Sequence, residues 1–323
     1  MSDTLSEVLH AVRLTGAVFY LVEASAPWIA VAPPPQDIAA TGLLGAEHVM
    51  EFHLLIDGPC WTGALGEKLE RLEPGEVVIF PRGDPHHVAS DPQQQAPPPV
   101  PETEIPPRLP FYLRLGPEGA PSSRLVCGFL GCDARPFNPL LEALPCMLRV
   151  PAAGTVLAEF IRLGVEETAA ARPGGEALRA RLAETMFIEA VRAYLGRLPE
   201  SAHGFLAGLR DPHLGRALGA LHRRPAHPWT LEALAREAGL SRTPLQERFT
   251  AMVGMAPMQY LARWRMQVAA SRLLRGEDKV AAIAVEVGYE SEAAFNRAFK
   301  RLVGVPPAAW RRAREQRRLA GPR

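Results

Sequence analysis

The chain has 323 residues, of which 47% are hydrophobic and 22% charged, a composition typical of globular proteins and a length sufficient for two domains with separate cores. Its apolar runs are short and interrupted, which excludes a membrane-spanning helix. The four cysteines Cys60, Cys127, Cys132 and Cys146 are too few for a disulfide framework in so long a chain, so we expect a reducing, cytoplasmic compartment.

Charge is divided unevenly along the chain. Residues 210–323 hold 21 Lys and Arg against 10 Asp and Glu, a formal charge of +11, whereas residues 1–209 hold 15 against 25, a charge of −10. A basic C-terminal part tied to an acidic N-terminal part favours a polyanion as the partner of the C-terminal part alone. The alternative is a solvated basic face that has no partner.

The N-terminal residues, from 1 to about 135, are predicted to form mainly short β-strands. The apolar or β-branched segments FHLLIDGPCWTG, EVVIFPRG, PFYLRLG and SRLVCGFLG are bounded by Gly, Pro or Asp and have the spacing of a sandwich or barrel. Between residues 91 and 110, eight prolines in twenty residues exclude a ladder or a helix interior. That segment is predicted to be a mobile loop.

One of the turns has a recognisable spacing. Gly75, Pro81, Gly83 and His86 follow the pattern G-x5-P-x-G-x2-H. The pattern resembles the second cupin motif, which turns between two strands of a small barrel. Together with the strand count, it predicts an N-terminal cupin-like β-barrel with accessory helices.

The resemblance raises the question of a metal, because cupin enzymes usually hold one with an H-x-H pair and a carboxylate from a first motif. Here FHLLIDG has only His53, and Leu55 stands where a second His would be needed. No nucleophile–base pair or Gly-rich phosphate loop stands out either. The sequence therefore predicts no catalytic residue and no cofactor. A metal in the barrel stays open as an alternative, with His53, Cys60, His86 and Cys127 as candidate ligands.

Beyond residue 135 the apolar period becomes helical. NPLLEALPCMLRV, TVLAEFIRLGVEETAAA and GEALRARLAETMFIEAVRAYLGRL are predicted helices. Those at 155–170 and 174–197 have apolar stripes that either pack under the barrel or pair with a second subunit. Gly196 and Pro199 end the last one, which predicts a sensing and possibly dimerising domain at 1–198, a linker at 199–211 and a second domain at 212–323.

The final third of the chain contains one pattern twice. LEALAREAG at 231–239 aligns with VAAIAVEVG at 280–288, and SRTPLQERFTAMVGMAPMQY at 241–260 aligns with SEAAFNRAFKRLVGVPPAAW at 291–310. The offset is 49 residues before the turn and 50 after it, so the inserted residue falls in the turn, where an insertion is tolerated better than in a core segment.

Each copy has the residue types that a helix-turn-helix requires. A small residue allows two helices to cross closely, a glycine permits the tight turn, and a serine begins the second helix as its N-cap. That helix then buries positions spaced four apart and ends at a further glycine. These positions are Ala235, Gly239, Ser241, Leu245, Phe249, Val253 and Gly254 in the first copy and Ala284, Gly288, Ser291, Phe295, Phe299, Val303 and Gly304 in the second.

One continuous helix is predicted between the copies, over residues 257–276. Its roughly 19 residues would span about 28 Å, compared with about 34 Å between successive major-groove faces on one side of B-DNA. These lengths are compatible with two helices that enter adjacent grooves.

The region from about Asp211 to Arg318 resembles the AraC/XylS-type regulator domain. VAAIAVEVGYESEAAFNRAFKRLVGVPPAAWRR and LHRRPAHPWTLEALAREAGLSRTPLQERF follow its second and first halves. The resemblance implies double-stranded DNA as partner, with the second helix of each unit reading bases and flanking cations holding phosphates. The N-terminal part resembles the ligand-sensing domains found ahead of such modules, which implies a small-molecule effector and a possible homodimer.

The resemblance makes the solvent side of each second helix the surface that contacts DNA. Gln and Asn suit adenine edges, Arg suits guanine, and other cationic side chains suit phosphates. Pro244, in the first turn, and the acidic Glu247 predict that the first unit contributes less than the second. The candidate contacts are Arg242, Thr243, Gln246, Glu247 and Arg265 around the first unit and Glu292, Ala293, Asn296, Arg297, Lys300 and Arg301 on the second.

The sequence thus predicts an α+β multidomain protein with a C-terminal all-α double helix-turn-helix domain. The favoured function is sequence-specific transcription regulation in response to an effector in the barrel. One alternative is a metal-dependent cupin enzyme with an appended DNA-binding domain. A second alternative is a constitutive DNA-binding protein whose barrel only dimerises.

Overall fold

The computed structural model describes residues 3–12, 14–32, 48–93, 111–132, 136–152, 154–170, 172–275 and 278–319. Most of the proline-rich segment, predicted to be a mobile loop, lies outside these ranges. Among the described residues the N-terminal part is mainly β, and the part beyond residue 204 is helical without strands. No helix in these ranges is both long enough and apolar enough to cross a bilayer.

Ten strands among the described residues form two sheets. They are β1 Leu14–Ala24, β2 Ile29–Val31, β3 His48–Asp57, β4 Cys60–Ala64, β5 Glu70–Leu72, β6 Glu76–Phe80, β7 His86–Ala89, β8 Phe111–Leu115, β9 Ser123–Cys132 and β10 Leu148–Pro151. One sheet has the order β10-β6-β3-β9-β1-β8 and the other β2-β7-β4-β5. Neighbouring strands are antiparallel except for β1 and β8, which are parallel. The predicted cupin-like fold is confirmed.

Strand alternation gives the six-stranded sheet two different buried faces. In β3, Val49 and Leu55 pack in the core between the two sheets, whereas Met50, Phe52 and Leu54 belong to a second core on the opposite face. Successive side chains of a strand point to opposite faces, so every second residue of β3 enters the barrel. Because both faces are covered, the strand reads as a nearly continuous apolar run.

Twelve helices among the described residues complete the fold. They are α1 Thr4–Val12, α2 Pro139–Ala143, α3 Val156–Ala170, α4 Gly175–Arg197, α5 Phe205–Arg210, α6 Pro212–Arg223, α7 Leu231–Ala238, α8 Arg242–Val253, α9 Pro257–Arg275, α10 Val280–Glu286, α11 Glu292–Val303 and α12 Pro307–Leu319. Helix α4 packs against β1 and β10, with Phe187 and Val191 buried in the outer core. The part of its apolar stripe that includes Leu182 and Met186 therefore packs under the barrel, the first of the two predicted alternatives, whereas Leu178 is exposed.

Residues 138–150 were predicted to be helical throughout, and this prediction is wrong for the second half. The helix ends at Ala143, and Leu144 has an extended backbone, with φ −79° and ψ 149°. Pro145 follows, and a proline disfavours the helical conformation in the residue before it. The chain then forms β10, in which Leu148 pairs with Ile79 and Val150 with Val77. The apolar spacing of this short segment fits a strand as well as a helix.

The double helix-turn-helix is confirmed. Helices α7 and α8 form the first unit, α10 and α11 the second, and α9 joins them with 19 residues. Leu245 and Phe249 in α8 are buried, as are Phe295 and Phe299 in α11. Gly288 is required in its turn for two reasons. Its backbone is left-handed, with φ +87°, and a Cβ there would lie 2.6 Å from the Ala226 carbonyl oxygen.

The two units differ in how their second helices begin. The Ser291 side chain accepts a hydrogen bond from the Ala294 amide at 3.2 Å, as an N-cap should. Ser241 occupies the same position in α8, yet its side chain makes no capping hydrogen bond. The residue equivalent to Ala294 is Pro244, which has no amide hydrogen to donate. The duplicated serine is therefore a capping residue in the second unit only.

The barrel and the helical part share one core. The linker predicted at 199–211 contains α5, whose Phe205 and Leu206 are buried in the same cluster as Phe52 of the barrel and Leu245 of α8. Helix α1, at the N-terminal end, packs against α6 and α9. The helices on either side of the first helix-turn-helix, α6 and α9, are thus in direct contact with the N-terminal part of the chain.

The capping difference predicts unequal stability effects of two equivalent substitutions. Ser291→Ala should lower the free energy of unfolding by about 1 kcal/mol, because a capping hydrogen bond is lost. Ser241→Ala should lower it by less than half as much, because no such bond exists. Chemical denaturation followed by circular dichroism checks both values. Equal losses for the two variants would contradict the proposed effect of Pro244.

Candidate functional site

The predicted DNA contacts of the first unit lie on the solvent side of α8. Arg242, Thr243, Gln246 and Glu247 are all exposed, opposite the buried Leu245. Arg242 pairs with Glu232 of α7, with 3.2 Å between Nη1 and Oε1. Both side chains are more than half exposed, so this ion pair is weak and leaves the guanidinium free to turn towards another anion.

The second unit presents a more basic surface. Glu292, Ala293 and Arg297 are exposed on α11, and Asn296 is half-buried beside them. Lys300 and Arg301 are exposed in the last turn of the same helix. Within the described part of the chain, neither these two cations nor Arg297 forms an ion pair with a carboxylate. Their charges face solvent, which is what an anionic partner requires.

Arg265 stands apart from the other candidate contacts. Its Nε donates to the Pro225 carbonyl at 2.7 Å and its Nη2 to the His227 carbonyl at 2.9 Å. The guanidinium also lies over the Tyr289 ring, 5.7 Å from the centroid, and burial lowers the pKa of Arg265. This side chain therefore connects α9 to the loop before α7 and to the turn of the second unit. Two of its five donor hydrogens are engaged by backbone carbonyls, which holds the guanidinium in place.

A second group of polar side chains lies inside the barrel. Glu51 and His53 project inward from β3, and His86 projects inward from β7 of the facing sheet. His53 Nε2 lies 2.7 Å from His86 Nε2, and each of these nitrogens lies within 3.8 Å of a Glu51 carboxylate oxygen. All three residues are at least 95% buried. They are a set of ligand types that could hold a metal ion.

Hydrogen bonds orient both imidazole rings of this group. His86 Nδ1 lies 2.8 Å from the Asp84 carbonyl oxygen, and because a carbonyl only accepts, Nδ1 carries a proton. Burial lowers the pKa of His86 to about 4 and lowers that of His53 well below its usual value, so both rings are neutral at pH 7. His86 Nε2 must then accept a hydrogen bond from His53 Nε2. His53 Nδ1 accepts in turn from the Cys127 thiol at 2.9 Å.

Burial also keeps the acidic groups of the barrel protonated. It raises the pKa of Glu51 to about 8, although a hydrogen bond from Tyr20, 3.3 Å away, acts in the opposite direction. It raises the pKa of the Cys60 thiol to about 12 and that of Cys127 well above its ordinary value. At pH 7 the interior is therefore a network of neutral donors and acceptors.

The sequence identified part of this group and missed one member. Of the four candidate ligands, His53 and His86 come together, and Cys60 is buried outside the three-residue group. Cys127 meets the His53 ring at Nδ1, on the far side from Nε2. The H-x-H pattern does not point to Glu51, because it begins at His53 and extends only towards Leu55. The available signal was the alternation in HVMEFHLLID, which puts Glu51 and His53 on one face of an apolar strand.

Comparisons with known proteins agree with this two-part architecture. Residues 3–196 match the family described as Cupin, and residues 234–313 match the family described as a helix-turn-helix domain. An AraC-like transcription regulator of Streptomyces lividans is 41% identical over 192 residues, which are 58% of this chain and 63% of that protein. The chain thus aligns with less than two thirds of that relative.

One further relative matches nearly the whole chain, and one solved structure matches only its C-terminal third. The HTH-type transcriptional regulator AlkR of Acinetobacter baylyi is 28% identical over 318 residues, which are 96% of this chain and 99% of that protein. Among solved structures, the DNA-binding domain of AdpA in complex with a target DNA is 32% identical. The matched region is 34% of this chain and 99% of the AdpA chain, with a TM-score of 0.33.

The contacts of Arg265 predict that it acts through structure and not through a phosphate. Arg265→Ala should lower the free energy of unfolding by about 1–3 kcal/mol, because it removes two hydrogen bonds to backbone carbonyls, each worth about 0.5–1.5 kcal/mol. The slope of log binding constant against log salt concentration should be unchanged. Lys300→Ala should leave stability unchanged and reduce that slope by about 0.9, the value for one lost phosphate contact.

Denaturation curves and DNA titrations at several salt concentrations separate the two roles. If Arg265→Ala reduced the salt slope as Lys300→Ala does while keeping wild-type stability, Arg265 would be a phosphate contact.

Proposed function

The chain belongs to the AraC-type transcription regulators with an N-terminal cupin domain, and from this membership we propose that it regulates transcription in the cytoplasm by binding specific double-stranded DNA sites. The observation that carries the proposal is the pair of helix-turn-helix units, each with a polar helix face exposed over a buried aromatic core. The formal charge of +11 on residues 210–323 adds the electrostatic attraction that a polyanion requires.

The exposed side chains favour different base sequences for the two units. Gln246 in α8 and Asn296 in α11 are suited to adenine edges, and Arg297 is suited to a guanine. Lys300 and Arg301 are placed to hold phosphates beside α11. Arg297 stands in the second unit where Glu247 repels phosphates in the first, and Glu292 stands where the first unit has Arg242. With Lys300 and Arg301, α11 is still the more basic helix. We therefore assign most of the affinity to the second unit.

The proposed effector response requires a connection between the barrel and the DNA-binding helices. The buried Phe137 amide donates to Oε1 of Gln267 in α9 at 3.0 Å, and the Phe137 ring packs on Tyr260 of the same helix, with 5.5 Å between centroids. Helix α9 joins the two units, so a shift of Phe137 bears on both. This contact supports a regulator in which an effector bound in the barrel changes how the units are presented.

A homodimer is the further part of this proposal. Val156 and Leu163 lie seven residues apart on one side of α3, and Leu178 lies on the neighbouring α4. All three are at least 40% exposed, which favours a second subunit as their cover.

The competing proposal of an enzyme with an appended DNA-binding domain differs in requiring turnover of a substrate, whereas the relatives described above are transcription regulators.

Substitution of one exposed arginine tests the proposed DNA readout. Arg297→Ala should weaken binding of the full-length protein to sites found by genome-wide mapping by about 1–3 kcal/mol, roughly 5- to 150-fold, and should relax the preference at one base position. Arg181→Ala is the control, because it removes the same charge from an exposed position in α4. Binding titrations with a mapped site and its single-base variants give both values.

Two results would reject the proposal. One is equal affinity of the wild-type protein for mapped and shuffled fragments. The other is an Arg297→Ala variant that binds as tightly and as selectively as Arg181→Ala.

The connection through Gln267 is tested by substitution within α9. Gln267→Leu leaves the buried Phe137 amide without this acceptor, an effect worth about 1–3 kcal/mol. Hydrogen exchange in the peptide that contains residues 136–144 should become faster by about 5- to 150-fold where local opening governs it. Gln259→Leu, at an exposed position of the same helix, should leave exchange unchanged. Equal exchange in both variants would refute the connection.

A further inference from the structure

The inward face of the barrel brings together residues from two sheets that are distant in sequence. Glu51 and His53 alternate on β3, and His86 is the first residue of β7 in the opposite sheet. The surrounding core is apolar, with Leu55, Val78 and Val88 among its members. From this convergence we propose that the barrel binds a divalent transition-metal ion through Glu51, His53 and His86, independently of whether the protein binds DNA.

The donor atoms have the separations that one ion requires. Two atoms that are each about 2.1 Å from a metal lie about 3.0 Å apart at a right angle and about 3.4 Å apart at the tetrahedral angle. Here the two Nε2 atoms are 2.7 Å apart, Glu51 Oε2 lies 3.7 Å from His86 Nε2, and Glu51 Oε1 lies 3.8 Å from His53 Nε2. One donor atom of each residue lies within 4.8 Å of the other two, so an ion would draw the carboxylate inward and move the two rings slightly apart.

The surroundings hold the ligands in orientations suited to a metal. The Nδ1 atom of each imidazole is engaged by another group, so the Nε2 atom of each ring faces the shared space. The His86 ring is stacked on Phe80, with 3.5 Å between centroids and 7° between planes. Metal-bound histidines usually donate the N–H of their second nitrogen to such a group, as His86 does to the Asp84 carbonyl. His53 would do the same on metal binding if its proton moved from Nε2 to Nδ1, where the Cys127 sulfur can accept it.

Cys127 has a positioning role in this arrangement. Its Sγ lies 2.9 Å from Nδ1 of His53, which is on the opposite edge of the ring from Nε2. A metal held by Nε2 is therefore out of reach of this thiol unless the ring turns. The ligand set consequently differs from the His and Cys set that the sequence suggested.

Two imidazoles and one carboxylate indicate which ions can bind. This set suits Zn²⁺ and Fe²⁺, whereas Mg²⁺ and Ca²⁺ prefer sites built from oxygen atoms alone. Three protein ligands also leave at least one coordination position for water or for an added molecule. The site is therefore of the open kind that accepts a further ligand at the metal.

Direct metal titration of the full-length protein tests the site. Chelator-treated protein is titrated with Co²⁺, followed by its visible absorption, and Zn²⁺ is then added in competition. We expect saturation at one Co²⁺ per chain and its displacement by Zn²⁺. With Cu²⁺ as a probe, the electron paramagnetic resonance spectrum should show coupling to two imidazole nitrogens.

Variants distinguish the three ligands from their neighbours. Glu51→Gln preserves side-chain volume, and both it and His86→Ala should weaken Co²⁺ binding by at least about 100-fold, since each removes a ligand. His87→Ala changes the next residue of β7, whose side chain is outside the group, and should bind Co²⁺ as the wild type does. Cys127→Ser should also retain the metal.

The proposal is overturned by any of three results. They are no Co²⁺ binding by the wild type, unchanged binding by Glu51→Gln, or loss of the metal in His87→Ala equal to that in His86→Ala. Circular dichroism establishes that each variant is folded. If His86→Ala does not fold, the comparison of Co²⁺ binding by the wild type and by Glu51→Gln decides whether the site exists.

Discussion

Burial of one sheet on both faces is the constraint on which the rest of the molecule depends. The inward residues of β3 and β9 pack against the four-stranded sheet, and their outward residues pack in the core that continues into α4, α5 and α8. A register slip by one residue would exchange these two sets of side chains. It would move His53 out of the barrel and bring Phe52 in. The interior of the barrel and the seating of the first helix-turn-helix are therefore fixed by the same strand register.

The parts of the fold that could be predicted are those governed by local residue types. Gly288, Ser291 and Phe295 each meet a requirement of the turn or of the helix that follows it, and the repetition of such positions made the double helix-turn-helix visible in the sequence. The strand Leu148–Pro151 could not be predicted in this way. The spacing of its few apolar residues fits the period of a helix and that of a strand equally well. Only the pairing with β6 determines that the segment is a strand.

In the candidate sites, too, the role of a single side chain could not be predicted where distant residues determine it. Arg265 looks like a phosphate contact in the sequence because it is cationic and close to the first unit. Its engagement by the Pro225 and His227 carbonyls depends on a loop forty residues earlier. Glu51 is acidic in an apolar strand, which signals a special role. Its partner His86 lies on the opposite sheet, and spacing within one strand does not show such a pair.

The contacts from the barrel interior to α9 form a continuous series. His86 is bonded to the carbonyl of Asp84, in the same turn as Arg82, whose guanidinium donates to the Leu144 carbonyl at 2.7 Å, just after α2. At the other end of that short helix, Phe137 donates to Gln267. Contiguity alone does not establish coupling, which requires an element with two arrangements whose balance a ligand changes. The turn at residues 81–85 and α2 are where that element would lie, because every step of the series passes through them.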